Sequence, residues 1–270
     1  MIATREVLVE GDGRMIDCHL ALPDTVGGPR RRPAVIVVHE IFGADAHMRD
    51  VCQRFAQLGY VAAAPDLFTG ELHRLLTPEN VALVMQSFAQ APPDLRRDPS
   101  KMVAFAQTQP PERRPILEAF GRIGQPRVLA GFARDLRGVA TYLRTQPEVD
   151  PVRLGSVGFC FGGAMSIRFA TVEPELRGAV IFYGQSPPLE DVPRIGARVL
   201  GLYGGADPGV TQTVPALSDA MRAAGKSFEY HVYPGARHAF FNNTRPSFQP
   251  EGAADAWKRV VAFFSDVFRD

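Results

Sequence analysis

The sequence predicts an α/β fold, a mostly parallel central sheet covered by helices on both faces. Three observations predict it. Short β-branched apolar runs alternate with longer stretches of helical periodicity. The runs are apolar almost without a break, as in strands buried on both faces. The chain has 270 residues, 46% of them hydrophobic, so residues 1–270 can bury a large core as one domain.

The elements follow in order. In "REVLVEGDGRMIDCHLALP", two alternating runs flank Gly11-Asp12-Gly13, which predicts an antiparallel hairpin at the sheet edge. "AVIVVHEIFG" (34–43) reads as a doubly buried strand. "GYVAAAPDLF" (59–68), "RLGSVGFC" (153–160), "GAVIFYG" (178–184), "ARVLGLYGGADP" (197–208) and "FEYHVYPGARHAF" (228–240) complete the set. In 127–145, Val128, Phe132, Leu136, Val139 and Leu143 share one helical face. "DAWKRVVAFFSDVF" (255–268) closes the chain as a second amphipathic helix. Residues 70–126 depart from a minimal layout. Pro78, Pro92, Pro93, Pro99, Pro110, Pro111, Pro115 and Pro126 punctuate them, and Thr77-Pro78 reads as a helix start with a capping hydroxyl. Val81, Leu83, Val84, Met85 and Phe88 follow, so the stretch predicts a Pro-rich helical insertion or cap-like excursion within the domain. "GGPRRRP" (27–33) reads as a solvated loop.

Charge and composition narrow the function. The formal net charge is +1, which gives no electrostatic case for nucleic acid or an anionic membrane. No apolar run reaches the roughly 18 residues of a bilayer span, and the N-terminus lacks a signal-like block, so a cytoplasmic location is the expectation. Cys18, Cys52 and Cys160 are far apart and lack metal-ligand spacing, which argues against a disulfide framework or a zinc site.

The informative stretch is "GSVGFCFGGAM" (155–165). A dinucleotide cradle needs a bare glycine where Cys160 stands, and "GAVIFYG" ends in no acid for a ribose. A plain core cysteine suits Cys18 and Cys52. It does not explain why glycines at 158, 162 and 163 bracket Cys160. A strand-turn-helix does. The glycines make room for a tight turn whose central side chain projects above the carboxyl edge of the sheet, as in G-x-S-x-G nucleophile turns with cysteine in place of serine. The amide of Phe161, at the helix start, would face the same space and could hold an oxyanion. The helix start also favours a thiolate. A nucleophile of this kind needs a base, and the base needs an orienting group. Past Cys160, Asp207 lies just beyond one strand and His238 just beyond the next, in the order nucleophile, acid, histidine. His19, His39, His47, His73 and His231 lack such placement and read as structural or solvent-facing.

At these residues the sequence resembles the dienelactone hydrolase family of α/β-hydrolases. The matching pieces are "HEIFG" (39–43), "GFCFGG" (158–163), "GGADPGV" (204–210) and "PGARHAFFN" (234–242). The resemblance implies the α/β-hydrolase fold and a Cys-His-Asp triad at Cys160, His238 and Asp207. It implies a glutamate partner for the resting thiol at Glu40, and a second oxyanion donor in the amide of Ile41 beside Phe161. Glu40 also follows the apolar strand at the carboxyl edge, where ligands of open α/β sheets bind; a local arginine such as Arg49 is the alternative partner for its carboxylate. The sequence departs from the family at one point. The arginine that holds a substrate carboxylate four residues after the catalytic histidine is here Asn242. Arg245 follows three residues later and could substitute, with a second arginine drawn from Arg96, Arg97, Arg113, Arg114 and Arg122. Asn242 and Arg245 are therefore the candidate substrate contacts.

The resulting expectation is a cysteine-dependent hydrolase of activated esters or lactones, of the carboxymethylenebutenolidase type, acting on a small molecule with no metal or organic cofactor. A general carboxylesterase or thioesterase of the same fold is the alternative within the class. A lactone-binding sensor without turnover and a redox-responsive protein acting through Cys160 are the alternatives outside it. The oligomeric state is not legible.

Overall fold

The computed structural model describes residues 2–24, 31–90 and 101–269. Pro92, Pro93, Pro99, Arg96, Arg97, residues 27–30 of the basic loop and the side chain of Phe88 lie outside the described residues.

Strands β1 (Ala3–Glu10) and β2 (Met15–Leu22) form the predicted hairpin, pairing antiparallel from Ala3 opposite Leu22 to Glu10 opposite Met15. β3 (Arg32–Val38), β4 (Val61–Pro65), β5 (Val149–Phe159), β6 (Gly178–Phe182), β7 (Arg198–Gly204) and β8 (Phe228–Tyr233) run parallel to one another. The eight strands make one sheet in the order β1-β2-β4-β3-β5-β6-β7-β8, with β2 antiparallel to β4. Arg32 and Pro33, read from sequence as the end of a loop, are already part of β3.

Both faces are covered, and side-chain alternation accounts for it. Ala34, Ile36 and Val38 of β3, with Ala179 and Ile181 of β6, point into one apolar cluster. The helices α6 (Pro126–Thr145) and α7 (Phe161–Val172) fill that cluster through Leu136, Val139, Met165 and Ile167. Val35 and Val37, with Val180 and Phe182, point to the other face. There α1 (Ala46–Gln57) and α10 (Pro250–Val267) pack through Val51, Phe55, Val260 and Phe264. The predicted face of α6 is buried at Phe132, Leu136, Val139 and Leu143. Cys18 and Cys52 are core residues, and burial pushes both thiols up.

Between β4 and α6 the chain forms α2 (Glu71–Leu75), α3 (Pro78–Gln90), α4 (Met102–Gln107) and α5 (Arg114–Ile123). Pro78 opens α3, and the Thr77 hydroxyl accepts from the Asn80 amide. After β7 come α8 (Pro208–Thr211) and α9 (Val214–Ala223). Among the described residues, no helix is long and apolar enough to cross a membrane.

Candidate active site

The site is built at the carboxyl ends of the parallel strands. Cys160 sits between β5 and α7 with φ 55° and ψ −114°, a left-handed conformation that costs a side-chain-bearing residue energy. The glycines make the turn possible. A Cβ on Gly158 would lie 1.9 Å from the Gly162 carbonyl oxygen, and one on Gly162 would lie 2.1 Å from the Val38 carbonyl oxygen. One on Gly163 would meet the Phe182 carbonyl oxygen at 2.6 Å. The turn is pinned by the Cys160 amide, which donates to Phe182 at 3.0 Å, and by a buried hydroxyl pair, Ser156 and Ser166, joining β5 to α7 at 2.8 Å.

Asp207 follows β7 and His238 follows β8. His238 Nδ1 lies 2.6 Å from Asp207 Oδ2, and its ring shares one cavity wall with Cys160, whose side chain acts on it electrostatically. Burial alone would make the imidazole less basic. The bond to Asp207 and the neighbouring Cys160 outweigh that, and its pKa is pushed up to about 10. The structure therefore brings Cys160, His238 and Asp207 together. Phe161 is the first residue of α7, so its amide has no carbonyl partner within the helix. Ile41 and Phe161 both line the same cavity as Cys160 and His238.

Glu40 is buried, 3% exposed, and also lines the cavity. Its Oε1 accepts from the Tyr183 hydroxyl at 3.1 Å and its Oε2 from the Asn242 amide at 2.9 Å. Burial pushes its carboxyl up; the Asn242 and Tyr183 bonds and the charge of Arg245 act the other way. Its hydrogen-bond partners are thus neither the thiol nor Arg49, which pairs with Glu6 instead. Asn242 corrects the sequence reading in a second way. It is fully buried and spends its amide on Glu40, with Oδ1 accepting from the Thr244 amide and hydroxyl. It is a support for Glu40, not a cavity-lining residue. Arg245 does line the cavity, its guanidinium 3.7 Å from the centroid of the Phe42 ring. Arg113, Arg114 and Arg122 do not; Arg114 donates to the Gln109 carbonyl and Arg122 faces Glu71. Among the described residues, the second arginine lining the cavity is Arg168 of α7.

The cavity holds about 650 Å³. Its walls are largely apolar: Phe42, Phe161 and Val210 from the sheet side, and Val81, Met85 and Phe120 from α3 and α5. Sequence reasoning missed Tyr183, which directly follows β6, has φ 40°, and packs edge-on to His238 with ring centroids 5.1 Å apart. Its position at a strand end, like those of Asp207 and His238, was the available signal. Among the described residues, no group of three or more His, Cys, Asp or Glu side chains could hold a metal ion.

The model of the dienelactone hydrolase family matches residues 16–268. The chain belongs to the dienelactone hydrolase family. A Saccharolobus solfataricus protein named "Putative carboxymethylenebutenolidase" is 33% identical over 264 residues, covering 97% of this chain and 98% of its own. An Escherichia coli K12 protein of the same name is 33% identical, covering 95% and 84%. Among solved structures, the "Putative Dienelactone Hydrolase" of Klebsiella pneumoniae superposes with a TM-score of 0.73 at 32% identity, covering 98% of this chain and 99% of that one. As a dienelactone hydrolase family member, the chain is a hydrolase, and its sheet is the α/β-hydrolase sheet that the sequence motifs imply.

Proposed function

We propose that this family member hydrolyses activated esters or lactones through a Cys160-His238-Asp207 triad. The observation that carries the reading is the Asp207–His238 hydrogen bond at 2.6 Å, with that imidazole facing the same cavity as Cys160 at its strained turn. A cationic imidazole beside a cysteine sulfur favours the thiolate as the attacking form. The thiolate attacks the substrate carbonyl carbon, and the amides of Ile41 and Phe161 receive the oxyanion. Losing one such donor costs about 10²–10³-fold in rate. The intermediate collapses to a thioester as the carbon–oxygen bond breaks, and His238 gives its proton to the departing oxygen. In a lactone that oxygen stays attached as the freed alcohol. His238 then takes a proton from water, the hydroxide attacks the thioester, and the thiolate leaves with the acid as product.

A thiolate leaves a tetrahedral centre more readily than an alkoxide does. Productive collapse therefore requires a good competing leaving group, such as an enolate or phenolate. The apolar walls fit a substrate that presents aryl, alkenyl or alkyl surface, with Arg245 and Arg168 at hand for an anionic substituent.

The test is a substrate series with two variants. Cys160→Ala abolishes turnover of enol lactones and aryl esters, and Cys160→Ser shifts the residual preference towards plain alkyl esters. Enol-lactone turnover that survives in Cys160→Ala contradicts the proposal.

A further inference from the structure

His39 is not a member of the triad, yet it is fully buried beside the site and both its ring nitrogens are engaged. Nε2 lies 3.0 Å from the Leu67 backbone nitrogen. A backbone N–H can only donate, so Nε2 is the acceptor and the ring proton sits on Nδ1. Nδ1 lies 2.5 Å from the Glu40 carbonyl oxygen, and an N–H there is the matching donor. Burial holds the ring in its neutral form, against the nearby charge of Asp66, which keeps one donor and one acceptor in place.

The bond to the Glu40 carbonyl matters because of what shares its plane. The Glu40 carbonyl and the Ile41 N–H belong to one trans peptide and point in opposite directions. Fixing the carbonyl onto His39 fixes the direction of the Ile41 amide, and Ile41 faces the cavity. The same imidazole stacks on the ring of Phe161, with centroids 5.9 Å apart and planes at 26°. Phe68 also meets it edge-on, with centroids 4.7 Å apart. The Leu67 peptide that anchors Nε2 is itself held in a turn in which Asp66 Oδ1 accepts from the Phe68 amide at 2.9 Å. One buried ring thus bonds the peptide that carries the Ile41 N–H and stacks on Phe161, whose amide is the other oxyanion donor.

We propose that His39 is a positioning residue of the oxyanion hole, its Nδ1–H bond to the Glu40 carbonyl aiming the Ile41 amide at the reacting oxygen. The proposal rests on the triad reading above. It predicts a transition-state effect with little effect on the thiol.

The test compares His39→Asn, which keeps an amide donor near the Nδ1 position, with His39→Gln, which places its amide at the Nε2 position, towards Leu67 and away from the Glu40 carbonyl. With an aryl acetate, His39→Gln lowers kcat at least tenfold with KM within about twofold, and His39→Asn restores most of the loss. Affinity for an aryl trifluoromethyl ketone, whose thiol adduct carries an oxyanion, weakens in His39→Gln by a similar factor. The rate of Cys160 alkylation by iodoacetamide, which forms no oxyanion, stays as in the unaltered protein. Loss of melting temperature alone, equal loss in Asn and Gln, or parallel slowing of alkylation overturns the role. Should the variants fail to fold, 15N-histidine NMR of the unaltered protein decides: a proton on Nδ1 of His39 supports the proposal and a proton on Nε2 overturns it. Cys160→Ala, run in parallel, separates the two claims. Turnover that survives there overturns the triad reading and this inference with it, whereas an inactive Cys160→Ala beside an unaffected His39→Gln overturns the role of His39 alone.

Discussion

At the scale of single residues, the site joins groups that the chain holds far apart. Asp207 is the residue whose removal is most informative, because its bond raises the basicity of His238. Asp207→Asn replaces a carboxylate with an amide, so the imidazolium is less favoured and deprotonates at lower pH. The expected outcome is a kcat lower by roughly 10²–10⁴-fold, with the alkaline limb of the rate profile moved down from near pH 10. A limb that does not move contradicts the assigned pairing. Cys160, Asp207 and His238 were legible in the sequence because each stands where an apolar strand run stops. Tyr183 and Asn242 were not assigned their parts because their partner, Glu40, lies more than 140 residues away in the chain. Hydrogen bonds of that span leave no periodic trace. Asn242 was misread for the same reason: position relative to the histidine located it in the right loop, but its side chain turns into the protein.

At the scale of elements, the turn around Cys160 is the most constrained part of the fold. Its glycines face backbone atoms, which cannot swing aside as a flexible side chain can. Gly162→Ala is expected to destabilise the protein by about 3 kcal/mol, the upper end for overpacking, because its Cβ would press on the β3 carbonyl. Gly209→Ala, where a Cβ meets nothing within 4 Å, is the control and stays within about 0.5 kcal/mol. Denaturant unfolding of both variants checks this, and equal stabilities contradict the steric account. The strands themselves were legible from their β-branched runs, but the runs overshoot. "AVIVVHEIFG" extends to residue 43, while β3 ends at Val38. Ile41 and Phe42 are apolar because they line the cavity and not because they belong to a strand. The alternation rule cannot tell those two reasons apart.

At the scale of the whole molecule, the sequence specified an alternating α/β chain but not the strand order, which depends on crossovers between segments of similar composition. The two-faced core that results buries His47, 2% exposed, against the stacked rings of Phe159 and Phe241. Burial lowers its pKa and Arg54 adds to that, while Asp45 and Asp50 oppose. A histidine whose folded pKa is depressed contributes stability above the unfolded value, about 6.5. It loses that contribution as pH falls towards the folded value, since the unfolded chain takes up the proton first. Glu40, whose carboxyl is raised, works in the opposite direction, so the contribution of His47 is read from a difference. The melting temperature of His47→Phe is expected to fall less between pH 7 and pH 5 than that of the unaltered protein. Parallel curves contradict it.

The central claim is that one sulfur atom carries the acyl group during turnover. Rapid acid quench of the protein with an aryl acetate, followed by peptide mass spectrometry, tests it most directly. The account predicts one acetyl group on the peptide bearing Cys160, formed in a burst before steady turnover and released by water. Steady turnover with Cys160 unmodified at every quench time, or with the acetyl group on another residue, contradicts it.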